Sequence, residues 1–129
     1  MKFPESSNSR DPTRLSTMMI SGANLEAKNS AEKSMHLGNS LEACLQWSHA
    51  LKLLPDTTYF IDQRCVCFLR SGQHFYALQD AEDLIRLEPN MSRGFMRKAE
   101  ILHATSHYEQ AVKVVDTMLL RNCHIFLNK

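Results

Sequence analysis

Ala43, Ala77 and Ala111 stand 34 residues apart, and the same step links Ala31 to Cys65 to Ala99 and Pro55 to Pro89. A chain with small residues at that interval folds as a row of helix–turn–helix units, because one such unit buries its apolar face only against its neighbours. A row of stacked pairs offers a concave surface to another chain, so the period constrains function as well as fold.

The small residues have companions at helical spacing. Ala43/Trp47/Ala50, Ala77/Ala81/Leu84 and Ala111/Val115/Met118 fall at i, i+4, i+7, the pattern of one buried stripe. In the preceding segments Ala31, Cys65 and Ala99 are small where two helices must approach closely, and the bulkier Ile61, Phe68, Phe95 and Leu102 flank them. Six helices in three pairs are predicted: 24–37 with 40–53, 57–71 with 75–87, and 92–104 with 108–121. Gly38-Asn39, Gly72 and Thr105-Ser106 break the pairs internally, and Pro55 and Pro89 fall just past helix ends that they cannot continue. The expected fold class is therefore all-α, an α-solenoid of three helix–turn–helix repeats over 23–121, with units at about 24–57, 58–91 and 92–125. A disordered N-terminal leader over 1–22 is expected, since Pro4, Pro12 and the polar residues between them offer little to bury. At most a helical turn is expected at 15–20, and an irregular tail at 122–129.

Bulk composition narrows the function classes. With 15 Lys+Arg against 14 Asp+Glu and a formal net charge of +1, nothing in the charge balance favours nucleic acid or an anionic membrane. The apolar runs at 18–20 and 66–69 are far below the roughly 20 residues of a membrane helix. The opening Met-Lys-Phe-Pro continues polar, unlike a secretory signal, so the cytoplasm is the expected compartment and the four cysteines are expected to be reduced.

Catalytic chemistry finds little footing. His103 and His107 are spaced i, i+4 as metal ligands on one helix face would be, but His107 falls at the predicted break and no Glu follows His103. Both are expected to be ordinary surface histidines. Cys44, Cys65 and Cys67 sit on helices, where a free thiol behaves as a small apolar side chain. Trp47 lies in the repeat stripe and is expected in the core, not in a ligand site. The acidic run 80–83 is expected to be a solvated convex face. No nucleophile–base pair can be assembled, so the chain is expected to be no enzyme and to carry no metal or cofactor.

Set in register, these residues resemble the tetratricopeptide repeat family. The first unit carries Ala31, Gly38, Ala43, Trp47, Ala50 and Pro55; the second Cys65, Phe68, Gly72, Ala77, Leu84 and Pro89; the third Ala99, Leu102, Tyr108 and Ala111. Departures are Ser34 in place of an aromatic, Ser106 in place of Gly and Cys123 in place of Pro. The resemblance leaves the C-terminal end without the polar capping helix such arrays use, which suggests a natural truncation, an alternative C-terminus or a partner that covers this end.

The blocks 64–70, 78–82 and 98–102 resemble the branch of the family that docks outer dynein arms on ciliary axonemes. That implies a non-catalytic scaffold for docking-complex or dynein-arm components, in the cytoplasm and on the axoneme. The rival implication is a co-chaperone adaptor. In such members five side chains grip the acidic C-terminal tail of a heat-shock protein, and by register they fall here on Lys28, Glu32, Gln63, Arg93 and Arg97. Three cations are kept for charge-assisted bonds to a carboxylate. However, Glu32 places a negative charge where an amide donor belongs, and Gln63 is one carbon longer. Lys28 and Glu32 can instead form a plain i, i+4 pair. The resemblance thus implies a basic concave groove for an acidic peptide more than a working heat-shock clamp.

Overall fold

The computed structural model describes residues 22–127. The expected leader and the turn at 15–20 lie outside the described residues, apart from Gly22. Six helices follow in order: α1 Ala23–His36, α2 Ser40–Leu53, α3 Thr58–Arg70, α4 His74–Leu87, α5 Ser92–Ala104 and α6 Tyr108–Leu127. Among the described residues none is in a strand, and no helix is long and apolar enough to cross a membrane. The fold is an all-α helical-repeat solenoid.

The same backbone closure ends the first helix of every pair. Asn39 N–H donates to the Ser34 carbonyl (2.8 Å), Gln73 N–H to Phe68 (2.8 Å) and His107 N–H to Leu102 (2.7 Å). Each closure needs one residue in the left-handed region, filled by Gly38 (φ 80°), Gly72 (φ 80°) and Ser106 (φ 67°). Only the third site strains its residue, because a side chain there crowds the backbone.

Each helix packs on the next, α1 on α2, α2 on α3 and so on to α6. In addition α3 touches α5 directly, with no comparable contact between α2 and α4 or between α4 and α6. α3 and α5 are therefore closer together than α2 and α4 or α4 and α6, and with the Tyr59 hydroxyl of α3 bonded to Glu32 of α1 the first helices line the inside of the curve.

Small residues let these helices meet. Ala31, Ala43, Ala50, Cys65, Ala77 and Ala81 are all fully buried. Trp47 is in the core as expected, its ring 5.5 Å from that of Phe60 and its Nε1–H donating to the Met35 sulfur at 3.2 Å. Ser34 is buried too, with its hydroxyl donating to Gln46 Oε1 at 2.7 Å, so a polar pair replaces the aromatic contact.

Two expectations need correction. The last helix does not stop at Arg121: α6 runs on to Leu127, so the irregular tail predicted from 122 is helical through 127. No Pro or Gly follows Arg121 to break it, since Cys123 occupies the place that proline holds in the earlier units. The acidic run at 80–83 is not wholly solvated either. Asp80 is buried and takes two hydrogen bonds from Arg64, 2.9 Å from Nε and 2.7 Å from Nη2, while its neighbour Glu82 pairs with Lys98 at 2.8 Å. A helix with 3.6 residues per turn brings at least one member of any four-residue run inward, here Asp80 together with Ala81.

Candidate functional site

The inner wall carries all five residues singled out by register, and the polar ties among them run across the wall. On α1, Lys28 Nζ lies 3.1 Å from Glu32 Oε2, the i, i+4 pair. Glu32 also accepts a 2.6 Å hydrogen bond from the Tyr59 hydroxyl of α3. That hydroxyl above all, with Lys28 beside it, holds the Glu32 carboxyl below its ordinary range, and burial, helped by the same contact, pushes Tyr59 up to about 12.

The next tie joins α3 to α5. Asp62 is buried and receives Arg97 through two hydrogen bonds, 2.6 Å from Nε and 3.2 Å from Nη2, while Arg97 Nη1 reaches Glu100 at 3.1 Å. Gln63 turns its amide toward Asp62 at 3.4 Å. Arg93, at the start of α5, donates to Glu88 at 2.8 Å and to Thr58 at 3.3 Å, leaving its buried Nε without a partner. Lys28, Arg93 and Arg97 are thus each held by a carboxylate of this chain: Glu32, Glu88 and Asp62.

A cleft of about 390 Å³ opens on the same wall between α1 and α3, lined by Glu32, Met35, His36, Tyr59, Gln63 and Arg70. His36 and Arg70 close the C-terminal turns of their helices, where a cation is favoured by the helix dipole. Neither forms an ion pair among the described residues, so the guanidinium of Arg70 is a positive charge on this wall that no carboxylate there takes up, unlike those of the register set.

Elsewhere the chemistry is quiet. Burial pushes the Cys65 thiol up to about 12, far from a reactive thiolate. His103 stacks edge-on against Tyr108 at 5.2 Å and His107 Nδ1 lies 2.9 Å from the Thr105 hydroxyl, so the two imidazoles serve different neighbours. No three potential ligands converge among the described residues.

No protein-family model matches the chain. Among curated proteins it is 32% identical over 81 residues to outer dynein arm-docking complex subunit 4 of Xenopus laevis, covering 63% of this chain and 15% of that one. It is 26% identical over 85 residues to small glutamine-rich tetratricopeptide repeat-containing protein 2 of Mycosarcoma maydis, covering 66% and 23%. The chain therefore spans less than a quarter of the length of either relative. Among solved structures, the TPR2B domain of yeast Sti1 in complex with an Hsp70 peptide superimposes with a TM-score of 0.69 at 18% identity, over 82% of this chain and 85% of that one. The chain has the fold of a tetratricopeptide repeat domain.

Within this fold, register named five candidate residues on α1, α3 and α5 and missed their partners. Tyr59, Asp62 and Glu88 neutralise or hold the candidate set, and His36 and Arg70 line the open cleft. One signal was available: Asp62 stands 34 residues after Lys28, an acid at a position where the first unit has a base. Tyr59 and Glu88 carried no such mark.

Proposed function

We propose that this chain is a non-catalytic scaffold whose inner wall, formed by α1, α3 and α5, holds a segment of another protein, and that it serves outer dynein arm docking on ciliary axonemes. The observation that carries the reading is the internal neutralisation of Lys28, Arg93 and Arg97 by Glu32, Glu88 and Asp62. A bare C-terminal carboxylate would have to displace a hydrogen-bonded anion at each cation, and breaking each charged bond opposes the gain from making a new one. What the wall leaves open is the His36–Arg70 cleft, suited to an acidic side chain within a partner segment. The ciliary assignment rests on the relative from Xenopus laevis. On this reading tagged protein expressed in a ciliated cell lies along the axoneme and co-precipitates docking-complex or dynein-arm components. A uniform cytoplasmic signal without those partners overturns it.

A co-chaperone adaptor is the second reading. The fold shared with a peptide-bound Sti1 domain favours it, as does the survival of three cations in register. Titration with a peptide ending in Glu-Glu-Val-Asp separates the two: micromolar binding lost in Arg97→Ala establishes the adaptor, and its absence leaves the docking reading.

A further inference from the structure

The repeat reports what belongs on its own open end. Between α1 and α2, the buried Ala31, Ala43 and Trp47 pack in one cluster with Cys67, which comes from the next helix, α3. One period on, Cys65, Ala77 and Ala81 pack with Ile101, from α5. Each groove also offers a polar anchor at its edge. Ser48 accepts from Arg64 at 3.1 Å, and Glu82, 34 residues later, holds Lys98 at 2.8 Å. In both cases the filling helix brings a cation and, three residues on, the side chain that enters the groove.

Among the described residues the third unit repeats the receiving half alone. Ala99, Ala111 and Val115 occupy the groove positions, with Asp116 in the place of Ser48 and Glu82. Here a groove of about 450 Å³ lies open, lined by these residues with Met96, Glu100, His103 and Val112. Met96 is 45% exposed, Val112 59% and Leu119 55%. Asp116 is exposed and forms no ion pair among the described residues. In the earlier units the chain turns back at 54–57 and 88–91, but the corresponding stretch 122–125 is still helix, so α6 carries the chain past the place where a seventh helix would start.

We infer that this groove is a docking site for an amphipathic helix of a partner protein, one bearing an apolar residue, then Lys or Arg, then an aliphatic residue three positions on. The basic residue meets Asp116 and the aliphatic one enters between Ala99, Ala111 and Val115. The apolar residue before the base follows from a difference between units: Asp62, which draws Arg97 onto α3, is replaced one period later by Met96. A second copy stacked head to tail is a poor occupant. Its α1 would present Ser30 and Lys33 where α3 presents Arg64 and Cys67 and α5 presents Lys98 and Ile101. Two copies meeting open end to open end would set Asp116 against itself, an unfavourable like-charge contact. The groove shares Glu100 with the inner wall, but its anchor Asp116 and its floor of Ala99, Ala111 and Val115 take no part in the ties of that wall, so the inference does not depend on what the wall binds.

The probe is a labelled, hydrocarbon-stapled peptide copying residues 92–104 with Arg97→Leu, because α5 already fills the equivalent groove. Fluorescence anisotropy against the whole 129-residue chain should show saturable single-site binding. Reversing the anchor with Asp116→Lys, an exposed site that folding tolerates, should weaken binding by about tenfold, and Lys98→Glu in the peptide should restore most of the loss. Binding that ignores Asp116→Lys, or no binding at millimolar peptide, overturns the inference. So does sedimentation of the chain alone as a dimer that Val112→Glu dissociates, which would give the groove to a second copy.

Discussion

Arg97 reaches across 35 positions of sequence to grip Asp62 through two hydrogen bonds, the shorter 2.6 Å, and this tie both joins the second and third units and removes the best-placed cation of the inner wall. Its two consequences can be measured separately. Asp62→Asn keeps the volume but withdraws the charge, and should cost about 1.5–3 kcal/mol in a urea melt, the scale of hydrogen bonds to charged groups. The same variant frees Arg97 and should tighten binding of a Glu-Glu-Val-Asp peptide by roughly three- to tenfold over the parent chain. Equal affinity in the two proteins would mean that Asp62 is not what keeps Arg97 from a ligand.

The Tyr59–Glu32 contact gives the array a pH signature at both extremes. Glu32 has its folded pKa lowered, so it contributes stability above its unfolded value, near 4.5, and loses it as pH falls through the folded one. Tyr59 has its folded value raised, so its contribution is complete below pH 10 and is lost as pH rises from 10 toward about 12. Tyr59→Phe should flatten the alkaline limb of Tm against pH and weaken the acid one. At neutral pH it should cost about 0.5–1 kcal/mol, a partly exposed hydrogen bond. An unchanged alkaline limb would count against the assignment.

Ser106 holds a left-handed backbone (φ 67°) that glycine holds in the other two units. Replacing it by glycine removes about 1 kcal/mol of crowding and adds unfolded-state freedom, for a net gain of roughly 0.5 kcal/mol. Thermal unfolding of Ser106→Gly should show a Tm higher than that of the parent; a lower one would mean that the Ser106 side chain supports the turn.

Gly94 lies in the first turn of α5, where a Cβ would stand 2.8 Å from the backbone nitrogen of Ile85. Alanine is worth about 1 kcal/mol in helix propensity over glycine. Here the backbone of α4 cannot yield as a flexible side chain would, so Gly94→Ala should lower stability by about 1–2 kcal/mol net. A stabilised variant would show that α4 and α5 can separate without penalty.

The helices were legible in the sequence because two short-range rules act together. Ala43, Ala77 and Ala111 mark contacts too close for larger side chains, and Gly38 and Gly72 mark turns that need positive φ. Each rule acts within a few residues and recurs every 34, so α2 and α5 were predicted to the residue and three other helices to within one residue at either end. The end of α6 was not, since an absent breaker is a weaker signal than a present one.

What the sequence determined by itself is the repeat, the pairing of helices and which side chains stand on the inner wall. Which of those side chains remain available to a ligand was decided only by the tertiary structure. Register puts Lys28 on α1 and Arg93 and Arg97 on α5, but their charges are offset by Glu32, Glu88 and Asp62, and the Arg97–Asp62 pair spans one whole unit. Such pairings follow from how far one hairpin rotates on the next, a sum of many packing contacts that no local pattern encodes.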